Sequence, residues 1–264
     1  MPEFRPIYKS HAIEKCAATV AFGDQLPKKV FGQLLESATP LLTANGLVQG
    51  QQPSGFQFDV ATGKVSPIDG HGPTQFSSEN NVVQLHVLPD AIVWGTKQYL
   101  RWKNFRQDFQ KSTEPLLSEF DKATNVSSIK LEYWDRFFWQ GNWDDLDIKK
   151  LLKSDSELSI KAAGQFSREW HNHVGWFETK NFGRRLINVN IDLISINSPT
   201  ATDQPSVGIY TMVHDQTRTD AERDELNTLS LIKRFDQIHD EMKHLLSQVL
   251  TPSASEMINL NSGE

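Results

Sequence analysis

The sequence predicts an α+β protein made of two consecutive β-α-β-β-β-α halves, with an antiparallel sheet and helices packed mainly on one of its faces. Two observations support this fold class. Short runs of alternating apolar and polar residues predict strands, whereas three longer segments repeat apolar residues every three or four positions and predict helices. The order of elements over residues 12–124 recurs over residues 127–249, and such self-similarity usually indicates two copies of one unit.

The first half opens with a strand and a helix whose ends are marked by turn-forming residues. Pro27 is expected to open the helix, because a missing N–H costs little at the first helical position, and Asn45-Gly46 is expected to end it. The elements predicted for this half are a strand over 13–22, a helix over 27–45, a short strand over 56–60, strands over 83–87 and 91–96, and a helix from residue 101 that Pro115 kinks or splits.

The second half contains the clearest strand pattern of the chain. Apolar residues at every second position from 187 to 193 alternate with Asn188, Asn190 and Asp192, which is typical of an antiparallel strand with one buried face. The elements predicted for this half are strands over 129–139, 166–178, 187–193 and 206–214, a short helix after Asp144, a turn at 180–183, and a long final helix that Thr219 and Glu222 cap.

We expect these halves, residues 1–125 and 126–252, to pack as one body that ends in a C-terminal tail, residues 253–264. At 264 residues the chain is long enough to bury a large core. Its 38% hydrophobic and 23% charged residues are typical of a globular protein. The formal net charge of −6 argues against general nucleic-acid binding, which depends on clustered Lys and Arg.

Cys16 is the one cysteine of the chain, so neither an intrachain disulfide nor a cysteine metal cluster can form. It lies in the apolar run 16–20 and is expected to be a buried, small hydrophobic residue. No apolar run approaches the length that spans a bilayer, and the start of the chain lacks the apolar core of a signal peptide. We therefore expect a cytoplasmic protein with no membrane partner.

Three stretches of the sequence carry a family resemblance. They are Arg5-Pro6-Ile7 with Ile13-Glu14 and Phe22; Val83 through Trp94, Tyr99, Trp102 and Phe105 to Phe109; and Ile129-Lys130-Leu131-Glu132-Tyr133 with Asp135-Arg136. Together with the final helix, they resemble a sporadically distributed family of functionally uncharacterised bacterial proteins of about this length. Where that family tends to show Arg-Tyr-Ile-Asn-Arg, this chain has Glu132-Tyr133-Trp134-Asp135-Arg136. The resemblance implies no known activity and suggests an accessory or immunity-type component of a mobile or defence system.

Tyr99, Trp102 and Phe105 lie at three-residue spacing where a strand leads into a helix. Large aromatic side chains bury much area and dominate the energetics of a core. We therefore interpret these residues as a structural pin between helix and sheet rather than as a ligand cage.

His171, His173 and Asp192 form the sharpest candidate for chemistry. If the hairpin turns near Asn181-Phe182, its register pairs His171 with Asp192 and His173 with Asn190 on one face of the sheet. Two imidazoles and a carboxylate suit a divalent metal or acid–base catalysis. The alternative, which the two-histidine spacing alone favours, is a solvated sheet face without metal.

An aromatic cluster supplies the candidate binding residues Trp134, Arg136, Phe138, Trp139 and Trp143. Aromatic residues crowded along one strand cannot all point to the same side, so some of them must reach the second face of the sheet. Exposed aromatics with Arg are typical anchors of protein interfaces. Packing in the core is the alternative for the same residues.

Several common active-site motifs are absent from the sequence, among them the glycine-rich phosphate loops, the G-x-S-x-G elbow and the H-E-x-x-H pair. His71 lies in a predicted turn, and His239 and His244 are expected at the surface or its boundary. We therefore expect a non-catalytic binding protein with a protein partner and no cofactor. The rival is a metal-dependent hydrolase or nuclease that uses His171, His173 and Asp192, and a third hypothesis is a small-molecule binder with a cavity between the sheet and the long helix.

Overall fold

A computed structural model describes residues 2–50, 74–159, 165, 168–198, 201–217 and 228–260, and the backbone alone of 56–58, 65–67, 198, 201–202 and 228–229. The strands are β1 (Phe4–Pro6), β2 (Ile13–Phe22), β3 (Val48–Gln49), β4 (Phe56–Phe58), β5 (Val65–Pro67), β6 (Thr74–Ser77), β7 (Val83–Leu88), β8 (Ala91–Thr96), β9 (Val126–Trp139), β10 (Trp170–Lys180), β11 (Gly183–Ser198) and β12 (Ala201–Gln216). The helices are α1 (Lys28–Ala44), α2 (Trp102–Phe120), α3 (Thr228–Val249) and α4 (Pro252–Met257), with short 3-10 turns at Trp143–Asp145 and Ile148–Lys150.

The fold is mixed α/β and is dominated by one antiparallel sheet of ten strands. The strand order is β10-β11-β12-β9-β2-β8-β7-β6-β3, and β1 adds to β9 beside this path. β2 and β9 are paired at the centre of the sheet. On the β2 side lie strands β8, β7, β6 and β3, all before residue 125, and on the β9 side lie the later strands β12, β11 and β10. β4 and β5 form a separate two-stranded sheet.

The core follows the alternation of side chains along each strand. In β9 the odd-numbered residues from 129 to 139 are buried, whereas the residues between them are half-buried. The buried side chains meet helices: the ring of Trp94 lies 4.9 Å from that of Phe105 on α2, and Phe22 stacks on Phe120 at 4.0 Å. Phe109 then meets Phe235 of α3, which joins the two longest helices over the sheet.

One ion pair is buried where α3 crosses the sheet. The guanidinium of Arg185 on β11 donates two hydrogen bonds to Asp215 on β12, at 2.7 Å and 2.9 Å, and reaches Glu241 of α3 at 3.2 Å. The Asp215 side chain has 0% of its surface exposed. Removal of either charge would leave the other buried, and the contact of Arg185 with Glu241 connects α3 to the two strands.

Some elements differ from the sequence prediction. α2 runs from Trp102 through Phe120 without a break at Pro115. The predicted tail is partly structured, because it forms α4 and buries Ile258 and Leu260 in the core. The predicted cap residues Thr219 and Glu222, and also His71, lie outside the described residues.

Candidate functional site

The hairpin of β10 and β11 has the register that the sequence predicts. His171 pairs with Asp192 and His173 pairs with Asn190, and the strands turn between Lys180 and Gly183. Both histidines are exposed on β10, which is an edge strand of the sheet. The three residues proposed for chemistry therefore share one region of the sheet face.

In the described residues the carboxylate of this trio has other partners. Oδ1 of Asp192 accepts a hydrogen bond from the backbone N–H of Gly208 at 2.9 Å and pairs with Nη1 of Arg136 at 3.3 Å. One oxygen of the carboxylate thus pairs with a cation of β9 and an amide of β12. Throughout the part of the chain that the structure describes, no group of three or more His, Cys, Asp or Glu side chains is arranged to hold a metal ion.

Arg136 and Trp134 instead belong to a network that crosses four strands of the sheet. We define the sheet-face cluster as Lys15 of β2, Glu132, Trp134 and Arg136 of β9, Tyr210 of β12 and Asp192 of β11. Arg136 pairs with Asp192 and also with Glu14, at 3.3 Å and 3.4 Å. These contacts hold the guanidinium between β2 and β11, with 15% of the side chain exposed.

The aromatic residues of the cluster are also held by contacts with their neighbours. Nζ of Lys15 lies 4.3 Å from the ring centre of Trp134, whose ring meets that of Tyr210 at 5.0 Å. The Tyr210 hydroxyl donates to Glu132 at 2.6 Å. Burial and this carboxylate raise the pKa of Tyr210 far above its usual value, so the hydroxyl stays protonated.

The remaining candidate binding residues divide between the two faces of β9. Phe138 is half-buried on the same face as Arg136. Trp139 points the other way, with 1% of its surface exposed, and its indole N–H donates to Asn142 and Asp145. Trp143 packs partly against the core. Trp139 therefore cannot serve as an exposed anchor, and the alternative of core packing applies to it.

A cavity that sequence reasoning did not locate in detail lies on the opposite side of β9. It has a volume of about 330 Å³ and is walled by residues 11–13, the start of α2, β9, α3 and residues 258–260. We call it the β9–α3 cavity. It occupies the position of the third hypothesis, a space between the sheet and the long helix.

Asp135 lines this cavity and is the most unusual polar residue in it. Only 2% of the surface of Asp135 is exposed, and its Oδ1 has no hydrogen-bond partner among the described residues. Burial raises the pKa of Asp135 from 3.8 to about 7, because the charged form is poorly solvated. A buried carboxyl with this character is a common mark of a functional site.

Aromatic residues form part of the wall of the cavity and contact one another. The Tyr133 hydroxyl is hydrogen-bonded to Nδ1 of His239 at 2.9 Å, and Trp102 stacks on the same imidazole with ring centres 4.4 Å apart. Tyr99 meets Tyr133 edge to face at 5.7 Å. The prediction that His239 lies at the surface or its boundary is wrong, since it is buried between α2 and β9, whereas His244 is exposed as expected.

One signal in the sequence could have drawn attention to Asp135. The buried positions of β9 read Ile129, Leu131, Tyr133, Asp135 and Phe137, so the acid stands alone in an apolar phase of the strand. Because a carboxylate is rarely buried without a partner, an acid in that phase indicates either a strand irregularity or a site.

Comparisons with known proteins leave the function open. No family model matches the chain, and no curated protein matches it. Among solved structures, "Methanococcus jannaschii TBP" matches over 92% of this chain and 99% of that chain, with 11% identity and a TM-score of 0.27. A likeness at this level supports no conclusion about fold family or activity. Of the described helices, none is both long enough and apolar enough to cross a membrane.

Proposed function

We propose that this chain is a non-catalytic protein-binding protein whose partner docks on the sheet-face cluster. The observation that supports this most directly is a Trp, a Tyr and an Arg held together on the sheet: Trp134, Tyr210 and Arg136. These three residue types dominate the energetics of protein interfaces. Their neighbours already fix their rotamers, so a partner would lose little side-chain entropy on binding.

The proposed binding face depends on how the helices are distributed. The ring contacts of β2 and β8 with α2 involve the buried side chains of those strands, and Tyr133 of β9 likewise meets α3 through its hydrogen bond to His239. The alternating residues stay half-buried or exposed, among them Phe177 with 56% of its surface accessible. We propose that the helices pack mainly on one face and that the other face is the interaction surface.

The strand order also supports the proposed duplication. β2 and β9 are neighbours, and each is followed in sequence by strands that extend the sheet away from the junction. A helix, α2 or α3, follows the last of these strands on each side. We propose that the two halves arose as copies of one unit and that the cluster lies in the second copy and at the junction.

The family resemblance gives the proposed partner a context. We propose that the partner is encoded near this gene, as for an accessory or immunity-type component of a mobile or defence system. A cytoplasmic location is part of the same proposal and rests on the sequence.

The test is a quantitative pull-down with the full chain against proteins encoded beside its gene, followed by affinity measurement with the purified partner. Trp134→Ala and Arg136→Ala should each weaken binding about tenfold or more, because central Trp and Arg residues account for much of the binding energy of an interface. Leu41→Ala, which alters an exposed residue of α1, serves as the matched control and should bind like the wild type.

Thermal unfolding confirms that each variant is folded before its affinity is interpreted. Equal affinity of the cluster variants and the wild type would refute the proposed surface. Failure to recover any reproducible partner from the native host would contradict the proposed function itself.

A further inference from the structure

The β9–α3 cavity is separated from the sheet-face cluster by β9 itself. Tyr133 and Asp135 point into the cavity, and Trp134 and Arg136 alternate with them toward the other face. A molecule in the cavity would therefore not touch the proposed docking surface. A cavity of about 330 Å³ lies within the range typical of small-molecule sites.

At the inner end of the cavity, a buried acceptor lacks a hydrogen-bond donor. Oδ1 of Asp135 has no donor among the described residues, although the residue is 2% exposed. A buried acceptor without a partner costs free energy that a bound donor would recover. An N–H or O–H group of a ligand that reaches the carboxyl of Asp135 would supply the missing donor.

The residues in the middle of the cavity favour a flat apolar group of a ligand. Tyr99 and Tyr133 present aromatic surface at a fixed edge-to-face angle, and Met242 and Leu246 of α3 face the same space. Aromatic edges and a polarizable thioether favour an aromatic ring over a hydrated polar group. Ile258 and Leu260 close the apolar wall from the C-terminal side.

The outer end of the cavity is basic. Arg101, Lys103 and Lys243 line it, and Lys103 is exposed, so the cavity reaches the surface there. Arg101 holds a left-handed backbone conformation, with φ 130°, immediately before α2, and its Nη2 donates to the carbonyl of Ser10 at 3.2 Å. Such a conformation is costly for a residue with a side chain and is often retained where it positions a functional group.

The first turn of α2 adds to this basic end. Lys103 and Asn104 belong to that turn and line the cavity, and the N-terminus of a helix attracts negative charge. Three side-chain cations and a helix N-terminus thus line the same cavity as one acid, Asp135. The positive charge at the outer end favours an anionic group of a ligand, whereas the carboxyl of Asp135 favours a hydrogen-bond donor.

We propose that the β9–α3 cavity binds an aromatic acid that carries a ring N–H or O–H donor. The donor would pair with Asp135, the ring would pack between Tyr99, Tyr133 and Met242, and the acid group would lie at Arg101 and the start of α2. This binding activity goes beyond the proposed protein contact and uses none of its residues.

Indole-3-acetate is a suitable probe because it has an aromatic ring, an N–H donor and a carboxylate. Calorimetric titration into the full chain, at a pH above the pKa of Asp135, about 7, should show saturable one-to-one binding. Two matched probes separate the interactions: 1-methylindole-3-acetate lacks the donor and 3-methylindole lacks the acid. Each should bind about tenfold more weakly, which corresponds to the loss of one good hydrogen bond or ion pair.

Variants assign these losses to residues. Asp135→Asn should reduce the difference between indole-3-acetate and its 1-methyl form, because a neutral amide accepts a weaker hydrogen bond than a carboxylate. Arg101→Gly removes the guanidinium and suits the backbone conformation, so it should weaken indole-3-acetate about tenfold without affecting 3-methylindole. Lys111→Ala, an exposed change on α2 that does not line the cavity, is the matched control.

Leu246→Phe provides a second test in case Asp135→Asn is poorly folded. This change narrows the cavity and should therefore abolish binding of indole-3-acetate, its 1-methyl form and 3-methylindole. Absence of saturable binding of indole-3-acetate, 4-hydroxyphenylacetate and 4-aminobenzoate at millimolar concentration would overturn the proposal. Binding that none of these cavity variants changes would overturn it as well. Neither result bears on the sheet-face cluster, because the variants leave its residues in place.

Discussion

Arg136 and Asp192 meet across the backbone of Gly208, with Nη1 and Oδ1 3.3 Å apart. The two residues lie on β9 and β11, and Gly208 lies on β12 between them. A Cβ at residue 208 would stand 2.8 Å from Nη1 of Arg136 and would press on Oδ1 of Asp192. The glycine is therefore what allows the ion pair to span the intervening strand.

We expect Gly208→Ala to displace this pair and to weaken partner binding about tenfold, while the fold survives, because the ends of flexible side chains can move aside. Partner affinity and the free energy of unfolding are measured together. Gly32→Ala is the control, since an added Cβ meets nothing within 4 Å there. Wild-type affinity of Gly208→Ala would show that the pair does not order the docking surface.

The Arg185–Asp215 pair gives a prediction about stability. Asp215→Ala should lower the free energy of unfolding by about 3 to 5 kcal/mol, because it leaves the guanidinium of Arg185 buried beside Glu241 alone. Glu119→Ala removes an exposed pair with Lys122 and should cost at most about 1 kcal/mol. Urea unfolding of both variants provides the comparison. Similar losses for the two would mean that the buried pair contributes no more than a surface pair.

The sequence predicts the register of the β10–β11 hairpin, but it does not predict where the side chains of that hairpin point. The turn at 180–183 and the strict alternation of β11 fix the register of His171 and Asp192, because a one-residue shift would turn the apolar face of the strand to solvent. Side-chain direction is not fixed in this way. Asp192 reaches Arg136, an ion pair between strands far apart in sequence that no local pattern predicts.

The cavity depends on contacts that local patterns do not encode. His239 follows the apolar stripe of α3, next to Ile238, and a histidine there can be judged buried only once Tyr133 and Trp102 are known to meet it. Tyr99, Trp102 and Phe105 are buried, as the sequence predicts. Trp102 packs on α3 as well as on its own helix, however, and no spacing within residues 99–105 shows that.

Cys16 provides a chemical probe of the intact fold. The residue is buried, and burial, followed by the nearby Asp135, raises the pKa of its thiol well above the usual value. A thiol that is both inaccessible and protonated reacts slowly with thiol reagents. We expect a disulfide reagent to label Cys16 in the native protein only as fast as the fold opens. In concentrated urea, the same reagent should label Cys16 at once. Rapid stoichiometric labelling of the native chain would show that β2 is accessible.

Asp135 makes stability depend on pH in the direction opposite to most carboxylates. Its folded pKa, about 7, lies above the unfolded value of 3.8, so the native state holds a proton that the unfolded state releases between these values. Its contribution is therefore most favourable at low pH, falls as the pH rises toward 7, and stays constant above. Cys16, His11 and Arg101 face the same carboxyl or its cavity and do not change this sign.

We expect Asp135→Asn to remove this dependence. The variant should gain stability over the wild type as the pH increases from about 4 to 7, by a few kcal/mol at most, and the gain should level off above that range. Urea unfolding at a series of pH values measures the difference. A difference that is independent of pH would mean that the carboxyl is charged at all of these pH values.

Phe105 tests whether the aromatic pin stabilises the fold. Its ring lies 4.9 Å from that of Trp94 on β8 and 5.4 Å from that of Trp102, so it connects the start of α2 to the sheet. Phe105→Ala should cost about 3 to 5 kcal/mol of unfolding free energy, because the cavity it leaves lies among rigid rings that cannot collapse. Phe177→Ala is the matched control, since 56% of Phe177 is exposed and Arg184 is its main ring contact, and it should cost no more than about 1 kcal/mol. If Phe105→Ala cost as little as Phe177→Ala, α2 would be held to the sheet mainly by Phe109 and Phe120 instead.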